Sequence, residues 1–481
     1  MNRWTNKALL VLAAILLLFS AACGSGGNNK PADTASDSPS APAKSQATTS
    51  ASNEPQEKVT LRLYTLDDTD KELVDSTIDE WHKINPNVDV EVVILTGEDS
   101  MDKLKVMLAG GEKIDIVYYD FSNSSRDKAS KIYYKLNDLM AVDNFDYLGT
   151  YGEYGRATMI GDEIYGFANW LSPSAIWVNT KTLEQKNIPI PDDNNWTFQD
   201  YFDLIAQLSS DEGGKRQHGG MHFQRGISGI LDVAAYGDWE VVNEDGTPNL
   251  DNPVLKQSAQ WFYDAMFTNK SMPTEADVDA NKLVALFDYA KGQLPTMLGA
   301  ANSALFFDVW KTMGYLTEEV DAQNPFKLLK MPKWDSASPS SRHTATVISH
   351  AVAKTSGHPK EAYEYLKFFT QQGLVLSSKS VHRIPLWKDA DVNTLMSNWK
   401  FYKDKDGNLV EGKDRTELYK AALNREQTPI FPKYANKYAY SSLMLQELKK
   451  ELSLVLANEK SIDKALADAQ KASEAIYKKN S

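Results

Sequence analysis

Two histidines stand four residues apart in His218-Gly-Gly-Met-His222, the spacing that puts two metal ligands on one face of a helix. The two glycines between them disfavour that helix, so the segment reads as a surface loop with solvated imidazoles. Asp404-Lys-Asp406-Gly407 resembles part of a calcium loop, but Tyr402 takes the first ligand position and Lys413 the twelfth, so it reads as a hairpin turn. The chain has no G-x-x-x-x-G-K-[ST] phosphate loop, no H-E-x-x-H, no G-x-S-x-G elbow and no G-x-G-x-x-G after a strand. Its 65 acidic residues offer many carboxylate pairs and single out none. No cofactor and no metal is expected. The positive signal is aromatic. Trp170, Trp239, Trp334 and Trp387 sit in polar, turn-like company, whereas Trp81, Trp261 and Trp399 lie on helical patterns and read as core, and Trp196 precedes a helix cap. A loop tryptophan commonly packs under its own loop. Four of them also offer flat faces suited to the C–H face of a sugar ring, with Asp, Asn and Arg nearby to bind hydroxyls.

The elements that must position these residues alternate. Val59–Thr65 reads as a strand, Asp70–Asn85 as a helix stopped by Asn85-Pro86, and Val88–Leu95 as a second strand. Ser100–Ala109 reads as a helix ended by Gly110-Gly111, and Ile114–Tyr119 as a buried third strand. This is the texture of an α/β fold with a parallel sheet. Further along, 164–170, 175–179 and 346–353 read as strands, and 253–267, 282–289, 358–370 and 440–477 as helices, the last broken near Asn458. Thr197 with Asp200 forms a capping-box pattern for a helix running to Leu208, and Asp245-Gly246 and Asp406-Gly407 mark hairpins.

The 481 residues are 42% hydrophobic and 24% charged, enough for two to four domains or lobes. Lys and Arg number 52 against 65 acids, so the net charge of −13 argues against nucleic acid as partner. The lone cysteine excludes an intramolecular disulfide and a Cys-based zinc site. It lies at the end of an export signal: basic Arg3 and Lys7, twelve apolar residues from Ala8 to Phe19, then Ser20-Ala-Ala-Cys23. Twelve residues are too few to span a membrane. The cysteine after small residues resembles the lipobox of bacterial lipoproteins, with Ser20 where leucine is usual; this implies a lipidated Cys23 as the mature first residue. Residues 24–58 lack every large apolar side chain and read as a flexible tether. The body is thus expected on the outer face of the cell membrane.

Several segments, in this order, resemble the extracellular solute-binding proteins of ABC importers, in the maltose-binding-protein-like, carbohydrate-uptake branch. They are Pro86–Val92, Met101–Gly111, Lys113–Asp120, Asp162–Phe167, Ile176–Leu183 (with Trp-Val-Asn-Thr-Lys for the usual Y-N-K), Ile188 to Trp196-Thr-Phe, Ala290–Met297, Thr346–Lys354 and Arg383–Asp389. The resemblance implies two α/β lobes joined by crossing strands, a central ligand cleft, and closure by hinge motion near Gly166, Pro295 and Ile348. It places the first lobe at 59–167 plus 298–346 and the second at 168–297 plus 347–481. It further implies a monomer that binds an oligosaccharide and hands it to ABC permease subunits. Ligands of open α/β sheets lie beyond the carboxyl ends of the strands. Asp67 and Asp68 follow the first strand, Asp120 the third, Trp170 the first crossing and Trp310 the second; Trp239, Trp334 and Arg383 come from other cleft loops. Each Asp has the alternative of capping a helix. Two other readings stay open: a different solute on the same fold, with Arg225 and Arg383 leaving room for an acidic sugar, and an extracytoplasmic polysaccharide hydrolase.

Overall fold

The computed structural model describes residues 57–96, 100–119, 126–212, 215–223, 225–339, 342–423 and 428–480. Cys23, its tether and Asp120 lie outside the described residues. Among those residues no helix is long and apolar enough to cross a membrane.

Nine strands make one mixed sheet: β1 (Val59–Thr65), β2 (Val88–Ile94), β3 (Ile116–Tyr119), β4 (Phe167–Asn179), β5 (Gly220–His222), β6 (Thr296–Ala300), β7 (Phe326–Leu329), β8 (Ala345–Val352) and β9 (Ile384–Pro385). Their order is β2-β1-β3-β8-β4-β6-β5, with β7 and β9 also on β4. β1 runs parallel to β2 and β3, with α1 (Thr69–Ile84) and α2 (Ser100–Ala109) between them, as the alternation of strand and helix predicts.

β4 carries the organisation. Its first half, Phe167 to Pro173, pairs antiparallel with β8, and its second half, from Ser174, pairs with β6 and then β7. Pro173 stands at the handover. Proline has no N–H to give a ladder, so a change of partner is where a strand tolerates it. Ser174 N then donates to Thr344 O at 3.1 Å.

Period-two alternation along β4 feeds two cores. Ala175 and Trp177 join a core with Leu61, Trp81, Met297 and Phe369, while Ile176 and Val178 join a second with Phe198, Phe262, Leu298 and Leu452. The second core is built by α3 (Phe198–Leu208), α4 (Gly226–Tyr236), α5 (Pro253–Tyr263), α6 (Ser441–Leu456) and α7 (Ile462–Asn480). The expected capping box is present: Thr197 Oγ1 accepts from Asp200 N, and Asp200 Oδ2 accepts from Thr197 N. The tail helix breaks at Asn458, which adopts a left-handed φ of 59°. Gly246 and Gly407, at φ 82° and 81°, close the two turns, where a residue with Cβ would be strained.

Pairing also divides the chain differently from the lobe limits drawn on the sequence. Ser349–Val352 of β8 pair with β3, and Tyr365 and Phe369 pack in the core of β1, whereas β6 and β7 lie on the second half of β4. A strand that runs through a junction carries no sequence mark where it changes partner.

Candidate functional site

β5 and β6 run parallel and end at His222 and Ala300, and Ala300 is paired with Ser174. The carboxyl edge of this half-sheet therefore opens onto the handover point of β4, the kind of place where α/β sheets bind ligands. A cleft of about 650 Å³ lies there, within the usual size range of small-molecule sites. Ser174 and Thr344 to Val347 line its floor, Arg156 to Gly161 one side, and Asp232, Asp238, Trp239 and Glu240 the other, with Ile430 to Lys433 at the rim.

The polar groups of this cleft are mostly committed. Ser174 Oγ and Thr344 Oγ1 are 3.0 Å apart, and Thr344 N donates to Tyr236 Oη at 2.9 Å. Arg342 Nη2 donates to Asp238 Oδ1 at 2.8 Å, and Lys433 Nζ joins the same oxygen at 3.2 Å. Burial raises the Asp238 carboxyl, but these two cations outweigh it and hold the group below its ordinary value. Glu240 accepts the backbone N–H of Lys433, Tyr434 and Ala435 at 2.7, 2.8 and 3.2 Å. Asp232 differs: among the described residues its one close ion-pair neighbour is the buried imidazole of His222, Nε2 to Oδ2 at 3.7 Å. Aromatic surface comes from half-buried Phe431 and the edge of Trp239. Phe223, at the carboxyl end of β5, is 41% exposed.

The residues expected from the sequence fall into three groups. Asp67, Trp170 and Arg383 come together beyond the carboxyl end of β1. Arg383 Nη2 donates to Asp67 Oδ2 at 2.8 Å and to Thr69 Oγ1 at 2.5 Å, and its guanidinium lies 5.5 Å from the Trp170 ring. Arg383 Nη1 also approaches Asp70 Oδ1 at 2.7 Å, an ion pair without hydrogen-bond alignment. Asp70 Oδ2 lies 3.0 Å from His350 Nε2 and accepts from Thr65 Oγ1. Burial raises the Asp70 carboxyl, yet Arg383 and His350 overcome it and hold it far below the ordinary carboxylate range. The inner part of this network is sealed, with Arg383 3% exposed and Asp70 0%, while Asp67 and Trp170 are half-buried at its edge. Asp68 beside it is exposed; it stands at the N-cap of the Thr69–Ile84 helix, but its side chain makes no cap bond.

The other tryptophans lie elsewhere. Trp310 packs at 4.9 Å on Phe307, and Trp334 at 5.0 Å on Trp261. Trp239 is buried with Nε1 donating to Asn249 O at 2.8 Å, and only its edge meets the cleft. Arg225 is engaged by Asp279 at 2.9 Å. His218 Nδ1 lies 3.2 Å from Lys270 O, and no cluster of metal-ligating side chains occurs among the described residues. Sequence reasoning missed Asp232, Arg342 and Phe431. A usable signal existed for the first: Asp232 is the one charged residue in the otherwise apolar run from Gly229 to Ala235.

The bacterial extracellular solute-binding protein family matches residues 66–373. No curated protein matches the chain. Among solved structures, the ABC substrate-binding protein Lmo0181 of Listeria monocytogenes, in complex with cycloalternan, is similar at TM-score 0.67 and 15% identity, covering 88% of this chain and 100% of that one. The sugar-binding protein MalE of Xanthomonas citri gives 0.68 and 13%, covering 88% and 98%. Maltose-bound MalE3 of T. maritima gives 0.65 and 14%, covering 87% and 100%. At these identities the likeness establishes the fold, the two-lobed α/β architecture of periplasmic binding proteins. With the family matching well over half of its length, the chain belongs to the bacterial extracellular solute-binding proteins, which are binding proteins and not enzymes.

Proposed function

We propose that the protein captures an oligosaccharide outside the cell and delivers it to an ABC permease, releasing it chemically unchanged. The cleft over the β4 handover carries this reading: about 650 Å³, with aromatic surface and charged hydrogen-bonding groups, in the fold of proteins solved with cycloalternan and maltose. Trp239, Phe431, Phe223 and Arg342 are the contacts we assign to the second half-sheet. From the first, exposed Asp68 and half-buried Trp170 face the ligand, Asp67 and Arg383 position Trp170, and Asp120 keeps the role its place after β3 suggests.

The strand pairings support lobes in which 349–376 goes with 59–173, and 296–329 with 174–290. Hinge motion then falls on β4 at Pro173–Ser174 and on β8 near Ile348. Cys23 anchors the chain by lipid to the outer face of the cell membrane, and the monomer works there on its tether. Cys23→Ser should release the protein in soluble form from cells, while the native form partitions into detergent; equal solubility of the two would refute the anchor.

Thermal denaturation with a panel of oligosaccharides tests the function, because a ligand stabilises the native state by RT ln(1 + [L]/Kd). A shift that grows with concentration of one sugar is the expected outcome. No shift with any sugar, and a shift with peptides, polyamines or anions, would reassign the solute.

A further inference from the structure

Asp232 sits on α4, with 36% of its side chain open, in the wall of the cleft. Every other carboxylate of that wall is answered: Asp238 by Arg342 and Lys433, Glu240 by three backbone amides. Asp232 accepts no hydrogen bond among the described residues. The groups around it explain why. From β5 it meets His222, which burial pushes down to about 4 and which is therefore neutral near pH 7. On its own helix it meets Tyr236, a phenol raised by burial. Across the cleft, Arg342 and Lys433 are turned to Asp238, Lys437 lies 5.1 Å over the Tyr434 ring, and Arg156 pairs with Glu153 at 2.7 Å. Behind α4, helices α5 and α6 contribute apolar core such as Phe262 and Leu452.

We infer that Asp232 is the acceptor that anchors sugar hydroxyls in the cleft, so that capture of the sugar releases a proton from this carboxyl. The inference rests on the sugar-binding reading above. A carboxylate in the cleft wall that no protein donor answers gains most from a ligand that brings donors, and hydroxyl groups bring them without a charge. Burial pushes the Asp232 carboxyl up to about 7, so part of the free protein carries the proton near neutral pH. Donated hydroxyl bonds favour the ionised form and lower its pKa in the complex. Affinity is therefore full at higher pH and falls as pH drops through 7, by about tenfold between pH 8 and pH 6 for a single linked proton.

The test is calorimetric titration of the native protein with cycloalternan, maltose and mannotriose, at pH 6 and 8 and in two buffers of different ionisation enthalpy. The expected result is binding about tenfold weaker at pH 6, with heat that depends on the buffer because a proton is released. Asp232→Asn should bind at pH 8 about as weakly as the native protein at pH 6, with no pH slope and no proton release. Binding of the native protein without proton release, or a slope that survives in Asp232→Asn, would overturn the inference and leave sugar capture standing. The proton-release measurement needs only native protein, so a variant that fails to fold does not blunt it. No binding of any sugar at either pH would overturn the sugar reading and this inference together.

Discussion

The Arg383 network and the Asp232 cleft are made of the same residue types and are built in opposite ways. Around Arg383, the charges of Asp70, His350 and Asp67 are paired with one another, the first two buried and Asp67 at the edge of the network. Around Asp232, the neighbouring charges are satisfied in pairs and one acceptor is left facing open space. The first arrangement fixes geometry: it ties the end of β1 to β8 through His350 and to the strand start at Arg383. The second keeps binding capacity for a ligand. Charged residues beyond a strand's carboxyl end are thus not enough to identify a ligand contact; what separates the two is whether their charges are already paired inside the protein.

Breaking the sealed side should give the largest effect. Arg383→Met leaves Asp70 and Asp67 without their cation, and uncompensated buried charge costs about 3–5 kcal/mol. Urea unfolding should show that loss, and a loss below about 1 kcal/mol would mean the network is not structural. The same network sets an acid limit. Because the Asp70 carboxyl is lowered in the folded protein, its contribution is present above the ordinary carboxylate range and is lost as pH falls below that range. Unfolding curves between pH 7 and 3 should show this acid loss, and it should shrink in Arg383→Met.

Trp310→Ala sharpens the contrast next. Its ring lies in the core against Phe307 and Phe287, so removal should cost about 3–5 kcal/mol of stability while sugar affinity of the folded protein stays unchanged. A selective loss of affinity would return Trp310 to the site.

Phe431→Ala is the reverse case and the smallest effect. A rim aromatic is worth about 0.5–1.5 kcal/mol beyond its buried area, so affinity should fall severalfold to about tenfold with the melting temperature nearly unchanged. Calorimetric titration beside a melting curve distinguishes the two outcomes.

Much of the fold was legible because it is written locally. The strand and helix alternation through Tyr119, the Thr197–Asp200 capping box, the two glycine turns and the break at Asn458 are short-range signals, and the structure shows each one. The buried roles of Trp81, Trp261 and Trp399 were legible from helical spacing. Asp67, Trp170 and Arg383 were each read as ligand contacts; in the fold they meet one another, with Trp170 inside β4 and Arg383 just ahead of β9. Their network had no local signal, since Asp70 and His350 join them from inside a helix and from β8, 280 positions apart. Trp239 and Trp334 read as ligand contacts because turn-like neighbours surround them in sequence. In the fold Trp239 tucks its N–H under Asn249, and Trp334 leans on Trp261. The cleft itself joins residues 156–161, 232–240, 342–347 and 430–437, a conjunction that depends on where β4 changes partners and has no local signature.

The most direct test of sugar capture between two lobes is solution scattering of the native protein, with and without a saturating oligosaccharide, followed by product analysis of the same sample. A ligand that touches both lobes favours the closed form by its differential affinity for it. The expected result is a smaller radius of gyration with sugar, and sugar recovered intact. A bound sugar with no change in size would contradict closure about β4 and β8, and a cleaved sugar would contradict the binding function itself.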